Sequence, residues 1–180
     1  MIIIKNNNFC IRLLNTNDKP LLLKWLTDKR VLKYWEGENV LFDKSKIEED
    51  FFCSEDIDIT KVIIEFKTVS IGYLQMYKLN QELFNEYQYN KTTKNVYGVD
   101  LFIGEPDYWG QGIGTSIMKI ITQYLFNKKQ AYSIILDPHI DNSRAIRCYE
   151  KVGFKIIKKL PKHELHNGKM VDCYLMEYKK

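Results

Sequence analysis

A chain of 180 residues, 45% hydrophobic and 28% charged, fits one globular domain over residues 1–180 with an ordinary core. It has no apolar run of about 18 residues, so no membrane span is expected. The apolar start Met1-Ile2-Ile3-Ile4 is too short for a secretory signal, and a cytoplasmic location follows by default. The net charge of +4 comes from scattered lysines, with arginine only at Arg12, Arg30, Arg144 and Arg147, which favours a solvated surface over a nucleic-acid-binding stripe.

The cysteines, Cys10, Cys53, Cys148 and Cys173, are far apart, and His139, His163 and His166 show no zinc-like spacing with them. Reduced thiols and no metal site are expected. His139 follows Asp137-Pro138 in a loop and is expected to be solvated.

In chain order, residues 9–14 read as a strand with Phe9, Ile11 and Leu13 on one face. A helix start follows at 17–20, where Asp18 precedes Pro20 and Leu21, Leu22, Trp25 and Leu26 form an apolar stripe. Residues 31–35 are a short aromatic-rich segment, and 43–52 a polar helix with Ile47, Phe51 and Phe52 on one side. Strands at 62–66 and 70–77 flank a hairpin connection at 67–69. Residues 79–95 are polar and tyrosine-rich without periodicity and read as an excursion or long loop. Residues 96–103 return to strand. Ile113, Ile117, Ile120, Ile121, Tyr124 and Leu125 then recur at helical spacing over about 15 residues. A buried strand at 132–136 precedes a helix capped by Asn142 or Ser143, running to Lys151 and stopped by Gly153. Strands at 154–158 and 171–178 close the chain. The order is mixed α/β with mostly antiparallel strands.

The segment Trp109-Gly110-Gln111-Gly112-Ile113-Gly114-Thr115 lies between a strand and the strongest helix. A helix N-terminus presents backbone N–H groups with no internal acceptor, and glycines let an anion approach them, so together they can cradle a phosphate. A Walker loop would need Gly-Lys-Ser/Thr, which is absent, and a Rossmann turn would need GxGxxG early in the chain rather than GxGxG past its middle. A plain glycine-rich connection with no ligand is the competing reading.

Two blocks separate these readings. Residues 108–115 resemble the coenzyme-binding motif of the GNAT superfamily of N-acetyltransferases, with Gly112 and Gly114 on the motif's glycines. Trp109 stands where that family usually has Arg or Gln, which removes one polar contact and leaves the backbone cradle. About 30 residues on, Asn142-Ser143-Arg144-Ala145 through Tyr149 to Gly153-Phe154 resembles the family's second motif, N-x-x-A-x-x-x-Y-x-x-x-G-F. The resemblance implies a mixed, mostly antiparallel twisted sheet flanked by helices, and acetyl-CoA as co-substrate. It implies coenzyme contacts from Leu101, Phe102 and Ile103 on the strand and from Gln111, Gly112, Ile113, Gly114, Thr115 and Asn142. It also makes Tyr149 the proton donor to the departing thiolate, against a core aromatic as the plain alternative.

Asp100 interrupts the apolar run Val99-Asp100-Leu101-Phe102-Ile103. A buried carboxylate is costly unless paired, so a cationic ligand is one explanation and a surface-facing strand-edge aspartate the other. Asp137, before Pro138, reads equally as a turn residue. The wider pattern, including Ile71-Gly72-Tyr73-Leu74-Gln75, Tyr97-Gly98-Val99-Asp100 and Leu136-Asp137-Pro138, is similar to that of aminoglycoside 6'-N-acetyltransferases, above all the acetyltransferase half of bifunctional aminoglycoside-modifying enzymes. Fusion to a larger protein is therefore compatible with the chain. By that resemblance Asp100 would hold the reacting 6'-amino group and Asp137 an amine of the neighbouring ring, with Trp25, Tyr34, Tyr73 and Gln75 lining the acceptor pocket. A carboxylate with a pKa of about 4 is a poor sole base for an ammonium, so Asp100 is expected to orient the amine and pass its proton on. Acetylation of a protein N-terminus or another amine, and a non-catalytic acetyl-CoA-binding domain, are the alternatives.

Overall fold

The computed structural model describes residues 1–53, 58–89 and 95–180. Its strands are β1 (Ile2–Lys5), β2 (Phe9–Leu13), β3 (Ile59–Phe66), β4 (Val69–Lys78), β5 (Val96–Ile103), β6 (Ser133–Leu136), β7 (Lys155–His166) and β8 (Lys169–Lys179). They hydrogen-bond in the order β1-β2-β3-β4-β5-β6-β8-β7. The pairs β1/β2, β2/β3, β6/β8 and β7/β8 are antiparallel, and β5/β6 is parallel. The helices are α1 (Lys19–Leu26), α2 (Lys29–Leu32), α3 (Lys44–Phe52), α4 (Gln81–Glu86), α5 (Ile113–Lys128) and α6 (Ser143–Val152). Among the described residues, no helix is long and apolar enough to cross a membrane.

Contacts gather the chain into two compact units, Met1–Met76 with Asp100–Trp109, and Tyr77–Val99 with Gly110–Lys180. The first unit packs α1, α2 and α3 on its strands. Its core holds Leu22, Trp25, Leu26, Ile47, Phe51, Ile63, Tyr73 and Phe102, whose rings meet edge-on or tilted, as aromatic quadrupoles prefer. Of the stripe expected at Leu21, Leu22, Trp25 and Leu26, the last three form the buried face of α1 and Leu21 is half-buried. The entry to that helix differs from expectation. Asn15 caps a single 3-10 turn, Thr16–Asp18, while the Asp18 carboxylate accepts two hydrogen bonds from Arg12, each 2.8 Å, and one from the Asn15 N–H. Asp18 thereby joins β2 to α1 and makes no side-chain cap to α1 itself. The 31–35 segment begins as the short helix α2, which Asp28 caps through Arg30.

The second unit has its own core: Leu79, Phe84, Tyr87, Val96, Ile135, Leu160, Cys173 and Leu175. Helix α5 buries Ile113, Ile117, Met118, Ile121, Thr122 and Leu125; of the expected face, Ile113, Ile117, Ile121 and Leu125 are buried and Ile120 and Tyr124 half-buried. Three elements differ from what the sequence leads one to expect. The 79–95 segment is not all loop: Asn80 accepts from the Leu83 N–H and starts α4, which is too short to show periodicity; residues 90–94 of that excursion lie outside the described residues. Strand β7 runs to His166, well past the expected end, because a register shift between Leu160 and Glu164 absorbs Pro161 without ending the strand. Its return is the Asn167-Gly168 turn, both residues with positive φ, the tight hairpin signal. Strand β1 has no sequence signature, since Met1-Ile2-Ile3-Ile4 alone shows no alternation; it is paired along β2.

Candidate active site

Asp100 belongs to the first unit, with Tyr73 and Gln75. Tyr73 and Gln75 share one face of β4, and Asp100 and Phe102 one face of β5, by the two-residue period of a strand. Gly72 permits the close approach of these strands, since a Cβ there would lie 2.5 Å from the Phe102 carbonyl oxygen. The Gln75 Nε2 donates to Asp100 Oδ2 at 2.7 Å, and the Tyr73 hydroxyl donates to Gln75 Oε1 at 2.9 Å. A carboxylate can only accept, so this order fixes the amide orientation and makes the chain Tyr73, Gln75, Asp100 directional. Burial, then the Asp100 charge, pushes the Tyr73 phenol far above its ordinary range, so it stays a donor. Asp100 itself is half-buried, neither edge-exposed nor sealed in the core.

Trp25 and Tyr73, expected to line an acceptor pocket, have no exposed surface. Both belong to the aromatic core of the first unit. The Trp25 indole donates to Glu105 Oε1 at 2.9 Å and packs against Gly104, where any Cβ would collide with its ring. Burial pushes the Glu105 carboxyl up, but hydrogen bonds from Lys24 and Trp25, with the Lys24 charge, outweigh it and hold the group below its usual value. Tyr34 is half-buried, with Lys33 Nζ 5.3 Å from its ring centre. Leu101 and Ile103 are half-buried and Phe102 is buried in the aromatic core. Trp109 donates to the Ile103 carbonyl at 2.8 Å, so the position where the family motif has a polar residue holds a structural anchor.

The glycine turn and the second motif belong to the second unit. Gly110 and Gly112 have φ of 74° and 76°, the left-handed region, and Gly112 is the residue from which α5 starts. A Cβ built on either meets nothing within 4 Å. The glycines are therefore set by backbone conformation, and the space above them is open. Gln111 is exposed beside that opening; Ile113 turns into the core, and Gly114 and Thr115 continue the first turn of α5. Thr115 Oγ1 donates to Cys148 Sγ at 3.4 Å, tying α5 to α6. Asn142, expected at the coenzyme, caps α6 by accepting from the Ala145 N–H at 3.2 Å. Tyr149 lies half-buried on α6, its ring 6.0 Å from Phe154. Gly153, with φ of 121°, ends that helix as expected.

Asp137 is also in the second unit, just past the end of β6. It is engaged by a residue to which the sequence assigns no role: His163 Nε2 lies 3.0 Å from Asp137 Oδ2, with Glu86 at 4.0 Å. The hydrogen bond to Asp137 raises the His163 pKa, against burial and with help from the Asp137, Glu86 and Glu164 charges. Sequence offers no signal for this pairing, because His163 lies within the β7 register shift that re-aims its side chain. His139, expected in solvent, is only 6% exposed and shares a 2.9 Å hydrogen bond with Glu164. The reason is that residue 139 bridges to Cys173 on β8 instead of looping outward.

A glycine turn opening α5 and a tyrosine-bearing α6 in one unit match a known domain. Residues 15–161 fit the family model of the acetyltransferase (GNAT) domain. The chain belongs to the GNAT acetyltransferase family. Its curated relatives include the aminoglycoside N(6')-acetyltransferase type 1 of Klebsiella pneumoniae, 29% identical over 152 residues, 83% of this chain and 75% of the relative. Among solved structures, AAC(6')-Ib in complex with ribostamycin and coenzyme A superimposes with a TM-score of 0.80 at 25% identity, covering 97% of this chain and 94% of the other. The spermidine N-acetyltransferase of Vibrio cholerae, in complex with coenzyme A and spermine, matches with a TM-score of 0.75 at 19% identity over 97% and 96% of the two chains. The breadth of these matches shows the GNAT fold, which by itself does not choose the acceptor.

Proposed function

We propose that this enzyme transfers the acetyl group of acetyl-CoA to the 6'-amino group of aminoglycosides, so that its host resists them. The observation that carries the reading is the half-buried Asp100 carboxylate, held by Gln75 and, through it, by the buried Tyr73 hydroxyl. Such a fixed anion suits a polycation, and the relation to a named aminoglycoside N(6')-acetyltransferase over 83% of the chain supplies the position acetylated.

The N–H groups at the start of α5, reached past Gly110 and Gly112, bind the pyrophosphate of the coenzyme, with Gln111, Ile113, Gly114 and Thr115 forming that turn. The backbone of Leu101, Phe102 and Ile103 on β5 takes the pantetheine arm. Asp100 orients the 6'-ammonium and draws its proton away to solvent. The neutral nitrogen attacks the thioester carbonyl carbon, the C–S bond breaks, and the thiolate of coenzyme A takes a proton from Tyr149; the proton that the acylated nitrogen sheds passes through water and restores the Tyr149 hydroxyl. Asp137, which also holds His163, serves a second amine of the acceptor. Tyr34 and Gln75 border the acceptor, and Asn142 supports the coenzyme side through the α6 cap.

Thiol release from acetyl-CoA, followed with kanamycin or tobramycin, tests this reading. Turnover is expected with a 6'-amine and absent with a matched aminoglycoside bearing a 6'-hydroxyl. Equal release from both, or none above background, would sink it.

A further inference from the structure

The fold gathers two of the three histidines of the chain with Glu164, although the sequence shows no metal-ligand spacing. His139, in the segment after β6, and Glu164 and His166, on β7, each offer a ligand atom, and all three atoms lie within 4.8 Å of one another. Glu164 and His166 are two residues apart on a strand, so they share a face. The two imidazole rings stand at 88° with centroids 4.5 Å apart. All three belong to the second unit, and acetyl transfer from the coenzyme to an amine uses none of them.

Two observations distinguish this group from an ordinary buried ion pair. His139 and Glu164 satisfy each other at 2.9 Å, but His166 Nδ1 is buried with no hydrogen-bond partner. Buried polar atoms left unsatisfied are rare and point to an absent ligand. The group is also held in place from outside. The shift in register between Leu160 and Glu164 is fixed by Asp172, which accepts from the Lys162 N–H at 2.8 Å and pairs with Lys159. Lys162 has φ of 51°, so the backbone turns there in a strained conformation that sets the direction of Glu164 and His166 beyond it.

We propose that His139, Glu164 and His166 form a binding site for a divalent transition-metal ion of the zinc class, with water in the fourth position. Two imidazoles and one carboxylate are a borderline donor set, which zinc, cobalt and nickel accept and which magnesium and calcium, preferring oxygen alone, do not. Tetrahedral zinc with bonds of about 2.0–2.2 Å places its donors about 3.4 Å apart. The His139–Glu164 separation needs to open only slightly, and His166 to close by a side-chain rotation. Glu164 passes from His139 to the metal, and His166 Nδ1 gains its missing partner. Bound metal ties the segment after β6 to the β7–β8 hairpin, so its effect is read in stability.

The test uses the full chain, stripped with a chelator and then given one equivalent of zinc chloride. One zinc per chain is expected to survive gel filtration and to raise the unfolding temperature. His166→Gln and Glu164→Gln should weaken binding by at least about 100-fold and abolish the shift. Their circular dichroism without metal should match the parent. Cobalt provides a readout that needs no variant: visible d–d bands without thiolate charge transfer are expected. No retained zinc in the parent, equal retention in both variants, or a thiolate charge-transfer band placing the metal on cysteine, would each overturn the proposal. None of these outcomes depends on which amine the enzyme acetylates.

Discussion

Replacing Asp100 by Asn keeps the size of the side chain and removes its charge. In the parent, Gln75 Nε2 donates to Asp100 Oδ2 at 2.7 Å, a short, charge-assisted bond. The asparagine amide introduced there can satisfy Gln75 only by turning its oxygen toward it, which leaves its NH2 facing the acceptor amine, donor against donor. The loss is thus one hydrogen bond to a charged group, about 1.5–3 kcal/mol, or about 10- to 150-fold in kcat/KM. The coenzyme turn rests on backbone conformation at Gly110 and Gly112, which the substitution does not alter, so affinity for acetyl-CoA should stay within about twofold of the parent. Steady-state thiol release measures the first quantity and calorimetry the second. A variant with kcat/KM within about twofold of the parent would refute the role given to Asp100, and a parallel loss of acetyl-CoA affinity would refute its separation from the coenzyme turn.

Tyr149→Phe removes the hydroxyl proposed as donor to the departing thiolate and should lower kcat by about 100-fold or more while leaving KM for the acceptor little changed; steady-state kinetics showing a raised KM with kcat intact would contradict this. Gly112→Ala meets no steric block, so its cost is the left-handed backbone alone, about 1–2 kcal/mol, and a fall of about 2–8 °C in Tm is expected by calorimetry. Glu105, whose pKa is held below its unfolded value, adds stability that is fully present above that unfolded value of about 4.3 and lost as pH falls through its folded pKa. Urea midpoints of Glu105→Gln should therefore fall less than those of the parent as the solution is acidified below about pH 5, and parallel curves would count against the assignment.

The long periodic elements were legible because their signal is local. Ile113, Ile117, Ile121 and Leu125 mark the buried face of α5 by spacing alone, and Asn142 and Gly153 bound α6 by backbone chemistry that acts within a few residues. The glycine turn was legible for the same reason: positive φ at Gly110 and Gly112 is a demand that sequence states directly. Short α4 and the continuation of β7 past Pro161 were not, since neither repeats long enough to show a period and the register shift has no residue signature.

The site divides along the same line. Asp100 stood out in sequence because a charge breaks an apolar strand, and its half-burial follows from that placement. That Trp25 and Tyr73 are fully buried, that Asp137 is held by His163, and that His139, Glu164 and His166 meet at all were decided by tertiary structure. Sequence alone determines what each residue can offer and how its nearest neighbours bend the chain. Which side chains converge from β6, β7 and β8, and which polar atoms are buried there, depends on pairing between residues far apart in the chain, such as Ser133 with Lys179 and Lys155 with Glu177. The physical driving force for that pairing is the burial of the whole core rather than any local pattern.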